Sequence, residues 1–305
     1  MSFNLETIKV LHIEPTTVCQ AACLQCDREN TDLYDDAINQ HNLTLNKIQQ
    51  IIPESTVKNL DKVFACGTFG DPAANPNLLN IFRWVRSINP DITLGMNTNG
   101  GLKNTAWWTE IGTLFSKPLD YVVFSIDGLE DTNHVYRRNV NWKKVMENAR
   151  AFIKTGASAH WDMLVFDYNK HQIDDAEQLA TQIGFSWFRC KVSKRFQWNP
   201  VPGLNPPEGI DLPNVEDPDS ISCHALKEKS LYLAANGELL PCCWMGSRIF
   251  NRDVLIDAAV HTPNFEGVIR TWDTDPLPVC KRNCGVQKNS NSSFENQWFK
   301  QTQIK

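Results

Sequence analysis

The stretch HIEPTTVCQAACLQC, residues 12–26, sets the end of an apolar run against three thiols, Cys19, Cys23 and Cys26, that fall within eight residues. A structural zinc site wants four ligands, usually as CxxC pairs. A disulfide framework wants an even count in a short secreted chain. Three thiols on one tight loop read instead as a metal centre that keeps one coordination position open. The residues before them, IKVLHIE (8–14), have the composition of a strand, so the thiols follow directly from a strand end.

Downstream, the same kind of run recurs at KVFACGT (62–68), ITLGMNT (92–98), YVVFSID (121–127), AHWDMLVF (159–166) and SWFRCKV (186–192), each bounded by Gly, Pro, Asn or Asp. Amphipathic stretches lie between them. Val145, Ala149, Phe152 and Ile153 share one helical face, with Gly156 as C-cap; Ile173, Ala176, Ala180 and Ile183 share another, ended by Gly184. Strands alternating with helices predict an α/β fold with a parallel sheet and right-handed crossovers. Six repeats are too few for an eight-fold barrel, so the expectation is a partial (β/α)6 TIM-like barrel over 1–196. Its thiol loop then lies at the C-terminal mouth, where the active sites of such barrels sit.

The pattern changes at QWNPVPGLNPPEGIDLPNVEDPD (197–219), which holds six prolines and no periodicity and reads as a linker. A small Cys-rich unit follows over 220–288. In it, LYLAANGELLPCCW has a hairpin pattern whose Asn236-Gly237 predicts a type I′ turn. Residues 289–305 read as a polar C-terminal tail, loose or docked as a helix.

Composition bounds the function. Charged residues are 21% and hydrophobic ones 42%, as in ordinary globular proteins. The net charge of −5 argues against nucleic acid as a partner. No apolar run reaches the roughly 18 residues needed to cross a bilayer. The first residues, MSFNLETIKV, lack the pattern of a signal peptide, so the expected location is cytoplasmic, with no membrane partner. Ten cysteines in a reducing compartment favour metal ligation over disulfides. Cys66 and Cys190 read as core residues. The Trp107-Trp108 pair reads as one buried and one edge-packed ring. The seven histidines form no HxxxH or HExxH group.

The Cys-x3-Cys-x2-Cys spacing of Cys19, Cys23 and Cys26 resembles the radical SAM superfamily. That resemblance implies a [4Fe–4S] cluster held by the three thiolates, with S-adenosylmethionine as the ligand of the open iron. Its implied activity is reductive cleavage of S-adenosylmethionine to a 5′-deoxyadenosyl radical, which abstracts a substrate hydrogen. Further motifs fall at the expected strand ends. GTFGDP resembles the family's Gly-Gly-Glu-Pro turn, with Gly70 and with Asp71 in place of Glu; NTNG contributes Asn97 and Asn99; SIDG contributes Ser125 and Asp127. Arg137, with Arg138 beside it, and Asn169 complete the cofactor-binding set that the resemblance implies. One departure is Gln25, where the family usually has an aromatic residue before the third cysteine.

Cys223, Gly237 with Cys242 after four intervening residues, and the late pair Cys280 and Cys284 resemble the SPASM/Twitch extension of this superfamily. Five cysteines there match the shorter Twitch form, which implies one auxiliary [4Fe–4S] cluster serving electron transfer. Its ligands would be Cys223, Cys242, Cys280 and Cys284, with Cys242 and Cys243 able to exchange roles. The implied partners are an external electron donor such as flavodoxin or ferredoxin and a substrate that is a peptide residue or a small sugar- or aminocyclitol-like molecule. The early first strand leaves no room for an N-terminal peptide-recognition domain in this sequence. The alternative is a non-catalytic protein using both cysteine groups for structural zinc.

Overall fold

A computed structural model describes residues 5–29, 41–197, 199–210, 218–246, 265–287 and 297–305. Strands β1 (Val10–Ile13), β2 (Lys62–Ala65), β3 (Thr93–Thr98), β4 (Tyr121–Ser125), β5 (Ser158–Val165) and β6 (Trp187–Val192) pair in chain order, every pair parallel. All six expected runs are strands, trimmed at their ends. The connections carry α1 (Leu45–Ile51), α2 (Glu54–Asn59), α3 (Leu78–Ile88), α4 (Thr105–Leu114), α5 (Asn133–Tyr136), α6 (Trp142–Ile153) and α7 (Ile173–Ile183). This is the partial TIM-like arrangement that the alternation predicts.

The helices form where the sequence supplies caps as well as an apolar stripe. Asn141 and Asn104 accept hydrogen bonds from the backbone N–H of Lys144 and Trp107, opening α6 and α4. Gly184, at φ +96°, closes α7 in the left-handed conformation. Val145, Ala149 and Phe152 of α6 are buried, as are Ala176, Ala180 and Ile183 of α7. Trp108 is fully buried, its ring 5.1 Å from that of Phe124, while Trp107 packs edge-on beside it.

Both edges of this sheet are extended by later parts of the chain. After β7 (Ser220–Ile221) and α8 (His224–Glu228), strand β8 (Ser230–Leu233) pairs parallel with β1, and β9 (Leu239–Leu240) pairs antiparallel with β8. The hairpin that the sequence assigns to the Cys-rich unit is therefore continuous with the barrel sheet. Its turn is not type I′. The Gly237 N–H donates to Ala234 O at 2.8 Å and Gly237 alone takes positive φ (+95°), while the Asn236 side chain accepts from Glu238 N. That is a type I turn followed by a left-handed glycine, which needs positive φ at one residue only.

Helices α9 (Cys243–Gly246), α10 (Phe265–Arg270) and α11 (Pro278–Cys284) follow, and β10 (Gly285–Val286) pairs with β7. In the last segment Lys300–Gln303 forms β11, antiparallel to β6, and not a helix or a loose tail. The order is thus β11-β6-β5-β4-β3-β2-β1-β8-β9, and neither side of the six-stranded core is left as a bare edge. No described helix is long and apolar enough to cross a membrane.

Alternation along the strands separates two faces. Val122, Phe124, Trp161, Met163, Phe188 and Cys190 are fully buried against the helices. The opposite face lines the lumen with a continuous run of contacts. Tyr232 meets His12 edge-on, His12 stacks on Phe64 at 4.1 Å, and Lys62 lies over both Phe64 and Tyr121. Tyr121 then stacks on His160 at 5.3 Å, and His160 meets Trp187. Gly95 makes this floor possible, since a Cβ there would sit 2.7 Å from the Tyr121 ring.

Candidate active site

The thiol loop leaves β1 at Glu14, whose buried carboxylate accepts the N–H groups of Thr68 and Phe69 at 2.7 Å each. Burial pushes this carboxyl above its usual range, against the pull of those hydrogen bonds. The loop end of β2 is thereby tied to that of β1. Gly70 comes so close to the loop that a Cβ would lie 1.9 Å from Thr16 O, so only glycine fits. The Asp71 N–H donates to Val18 O at 2.9 Å, one residue before the first thiol.

Cys19, Cys23 and Cys26 lie on this loop close enough that Cys23 and Cys26 oppose the ionisation of Cys19, and Cys26 that of Cys23. Burial is the larger cause, and it pushes Cys19 up to about 12 and Cys23 up to about 11. Cys26 is raised by burial too, with Arg195 pulling the other way. The loop turns tightly, Cys26 N donating to Cys23 O at 3.0 Å. Two side chains aim donors at the sulfurs: Asn99 Nδ2 lies 3.6 Å from Cys19 Sγ, and an Arg137 Nη is 3.8 Å from Cys23 Sγ.

The other residues singled out by sequence divide into two groups. Asp71 accepts from Thr98 Oγ1, Asn99 N and Ala73 N, so its carboxylate braces β3 against the thiol loop. Asp127 accepts from Arg137 Nε and Leu164 N at 2.6 Å each. Burial works against the Arg137 charge, but the adjacent Asp127 outweighs it and holds the guanidinium protonated. Asn169 donates to Asp127 O and Leu164 O and accepts from Phe166 N, which stitches the ends of β4 and β5 together. Asn97 and Ser125, in contrast, sit on the lumen face with no side-chain hydrogen bond among the described residues. Asn99 belongs partly to each group, because it also bonds Gln20.

Gln25 is fully buried. Its Oε1 accepts from Ser193 Oγ at 2.6 Å and its Nε2 donates to Asn199 O at 3.2 Å. The position where an aromatic ring was expected instead ties the thiol loop to the turn after β6. Sequence reading also passed over Lys191 and Trp298, which line the lumen. Alternate charges at Arg189 and Lys191, in a strand otherwise covered on both faces, are the signal that was available for the first.

In the C-terminal part, Cys223, Cys242, Cys280 and Cys284 line one apolar pocket, walled by Trp244 and Trp272 among others. The hydrogen bond between Cys223 and Cys284 lowers Cys223 below the usual thiol range and raises Cys284 above it. Cys243 is not among the lining residues; its neighbours include Cys66 and Glu14 on the barrel side. Cys66 is half-buried on the lumen face, whereas Cys190 is fully buried in the core. Among the described residues, no three or more His, Cys, Asp or Glu side chains converge closely enough to hold a single metal ion. A cluster that meets each thiolate through a different iron takes a wider set, and the donor chemistry of both thiol groups fits that.

The family model described as the radical SAM superfamily matches residues 13–180. No curated protein matches the chain by sequence. Among solved structures, SuiB of Streptococcus suis bound to S-adenosylmethionine superposes with a TM-score of 0.60 at 14% identity, over 82% of this chain and 65% of SuiB. SuiB bound to the precursor peptide SuiA gives 0.60 at 13% identity, over 83% of this chain and 63% of that one. This chain thus spans just under two thirds of SuiB's length, and at such identity the likeness is one of fold.

Proposed function

Because the chain belongs to the radical SAM superfamily, we propose that it is an S-adenosylmethionine-cleaving radical enzyme that modifies or oxidises its substrate in the barrel lumen. The observation that carries this reading is the set of three thiols on one loop at the mouth of a parallel sheet, within the matched segment. Cys19, Cys23 and Cys26 would hold a [4Fe–4S] cluster. When bound, cluster and S-adenosylmethionine supply the family's hydrogen-abstracting chemistry, and the protein supplies position and the exclusion of water.

Asn99 and Arg137 direct N–H donors at Cys19 and Cys23, which is how a protein sets the electron density on its ligating sulfurs. The open side chains of Asn97 and Ser125 are available to polar groups of the cofactor, and Gly70 lets the backbone come close to it. Asp71, Asp127 and Asn169 act by holding the strand ends in place. The aromatic floor formed by His12, Phe64, Tyr121 and His160 closes the lumen from below.

The four thiols of the apolar C-terminal pocket support an auxiliary [4Fe–4S] cluster of the Twitch type, ligated through Cys242 and not Cys243. Four protein ligands leave it no open position, so its role would be electron transfer. The proposed domain division is a barrel over 1–196, a linker over 197–219, a cluster-bearing unit over 220–288 that lends its hairpin to the barrel sheet, and a tail over 289–305. The substrate is a peptide residue or a small molecule, with flavodoxin or ferredoxin as electron donor.

The test is anaerobic iron and sulfide content after reconstitution, with dithionite-driven 5′-deoxyadenosine formation assayed alongside. Wild type should hold about eight irons and the Cys19/Cys23/Cys26→Ala protein about four, following four irons per cluster, with nucleoside formed by wild type alone. Zinc in place of iron, with nucleoside from neither protein, would overturn the reading.

A further inference from the structure

The lumen face of β6 presents Trp187, Arg189 and Lys191, and the turn beyond it adds Lys194 and Arg195. Parallel strands covered on both faces are normally apolar throughout, so charges at alternate positions call for partners. Arg189 has one, since its Nε donates to Asp162 Oδ1 at 2.7 Å. Lys191 has no carboxylate within ion-pair distance among the described residues. Its ammonium donates to Gln297 Oε1 at 3.0 Å and lies 4.5 Å from the centre of the Trp298 ring. That ring also covers Arg189, at 4.6 Å.

Among the described residues, the acids facing this chamber bond other groups first. Asp162 is held by Arg189, Glu14 by the N–H groups of Thr68 and Phe69, and Asp71 by Thr98 and Asn99. Burial opposes the Lys191 charge most, Asp162 favours it from beyond ion-pair distance, and Arg189 and Arg195 oppose it; Cys66, just after β2, faces it from four strands away, so Lys191 looks across the lumen. A partly buried ammonium whose nearest carboxylate is already paired with an arginine is costly. The contact with Trp298 recovers only about 0.5–2 kcal/mol of that cost.

We infer that Lys191, between Arg189 and the Trp298 ring, is the recognition point for an anionic group on the substrate, a carboxylate or a phosphate. The inference rests on the function proposed above, because it takes the lumen as the substrate chamber. It narrows the substrate: a peptide would present an acidic side chain or its terminal carboxylate, and a sugar-like molecule would carry a phosphate or acid group. A neutral sugar would leave Lys191 with only the Asp162 charge that it shares with Arg189.

The test titrates reconstituted holoenzyme with two probes, succinate and inorganic phosphate, by calorimetry and by tryptophan fluorescence. Wild type, Lys191→Met, Lys191→Gln and Lys191→Arg are compared, the Gln variant standing in if the Met variant fails to fold. The expected result is saturable binding of at least one probe by wild type at about 10 mM or tighter. Loss of a charge-assisted contact weakens this by about tenfold or more in the uncharged variants, and Lys191→Arg keeps most of it. Tighter succinate binding assigns a carboxylate, and tighter phosphate binding a phosphoryl group. Wild type that binds neither probe, or uncharged variants that bind as wild type does, overturn the inference. Iron content and retention of labelled S-adenosylmethionine in the same preparations judge the radical-enzyme reading separately. Protein that holds both but no anion sinks the anion site alone. Lys191-dependent anion binding in protein that takes up no iron sinks the radical reading alone.

Discussion

The two groups of thiols are built in opposite ways. Cys19, Cys23 and Cys26 come from a single loop, and the strand ends around them are locked by buried side-chain hydrogen bonds from Glu14, Asp71, Asp127 and Asn169. Cys223, Cys242, Cys280 and Cys284 come from three separated segments: the residue before α8, the residue before α9, and α11. They meet over an apolar wall that includes Met245, Val268 and Val279. The first site is shaped by hydrogen bonds among the strand ends of the sheet. The second is a place where distant segments converge, so the cluster proposed there would itself be a structural link, in the way that bound metal contributes folding energy to small domains.

Removing iron is the strongest way to break that comparison. Chelated, iron-free protein should be cut by trypsin first at Lys227, Lys229, Arg270, Lys281 or Arg282, around the second pocket, while the six-stranded core survives. The rate there should rise by at least about tenfold, corresponding to ~1.4 kcal/mol of lost local stability. Mapping early fragments by mass spectrometry decides the matter. Fragments that begin in the Cys19–Cys26 loop, or equal resistance of both regions, would mean that the second site is as preformed as the first.

The brace between β4 and β5 tests the other half of the comparison. Asp127→Ala leaves the Arg137 guanidinium without its carboxylate and Leu164 N–H without an acceptor, in a place where the Asp127 side chain is fully buried. Breaking one side of a buried pair costs about 3–5 kcal/mol, read as a lower urea midpoint. Asp127→Asn keeps an acceptor and should lose less. A cost below about 1 kcal/mol, the level of an exposed pair, would show that the first region is not held by this network.

The same contrast explains what was legible in the sequence. The six core strands and the thiol loop are local patterns, since each strand reads from a run of β-formers and the three thiols sit within eight residues. The roles of Asp71, Asp127 and Asn169 as braces were not legible, because a carboxylate's partners across neighbouring strands are set by register and not by spacing. Nor was the pairing of β8 with β1, or of β11 with β6, where segments more than a hundred residues away complete the sheet. The Asn236-Gly237 turn was placed correctly but typed wrongly. The dipeptide serves either turn, and the flanking residues choose between them.

Gln25 gives the smallest and sharpest test, since there the first region reaches across to the end of β6, on the far side of the six-stranded core. The side chain is fully buried and uses both ends, accepting from Ser193 and donating to Asn199 O. Replacing it with leucine of similar size leaves both partners without their bonds and should cost about 1–2 kcal/mol. A double-mutant cycle with Ser193→Ala should then recover a coupling of at least about 0.5 kcal/mol. Gln25→Phe, which installs the aromatic ring that the resemblance led one to expect, should be destabilising by about 1–3 kcal/mol through overpacking. If the phenylalanine variant is instead as stable as wild type and holds S-adenosylmethionine more tightly, the glutamine is not a tie. The thiol loop would then be independent of β6, and its rigidity would have to come from the β1–β4 side.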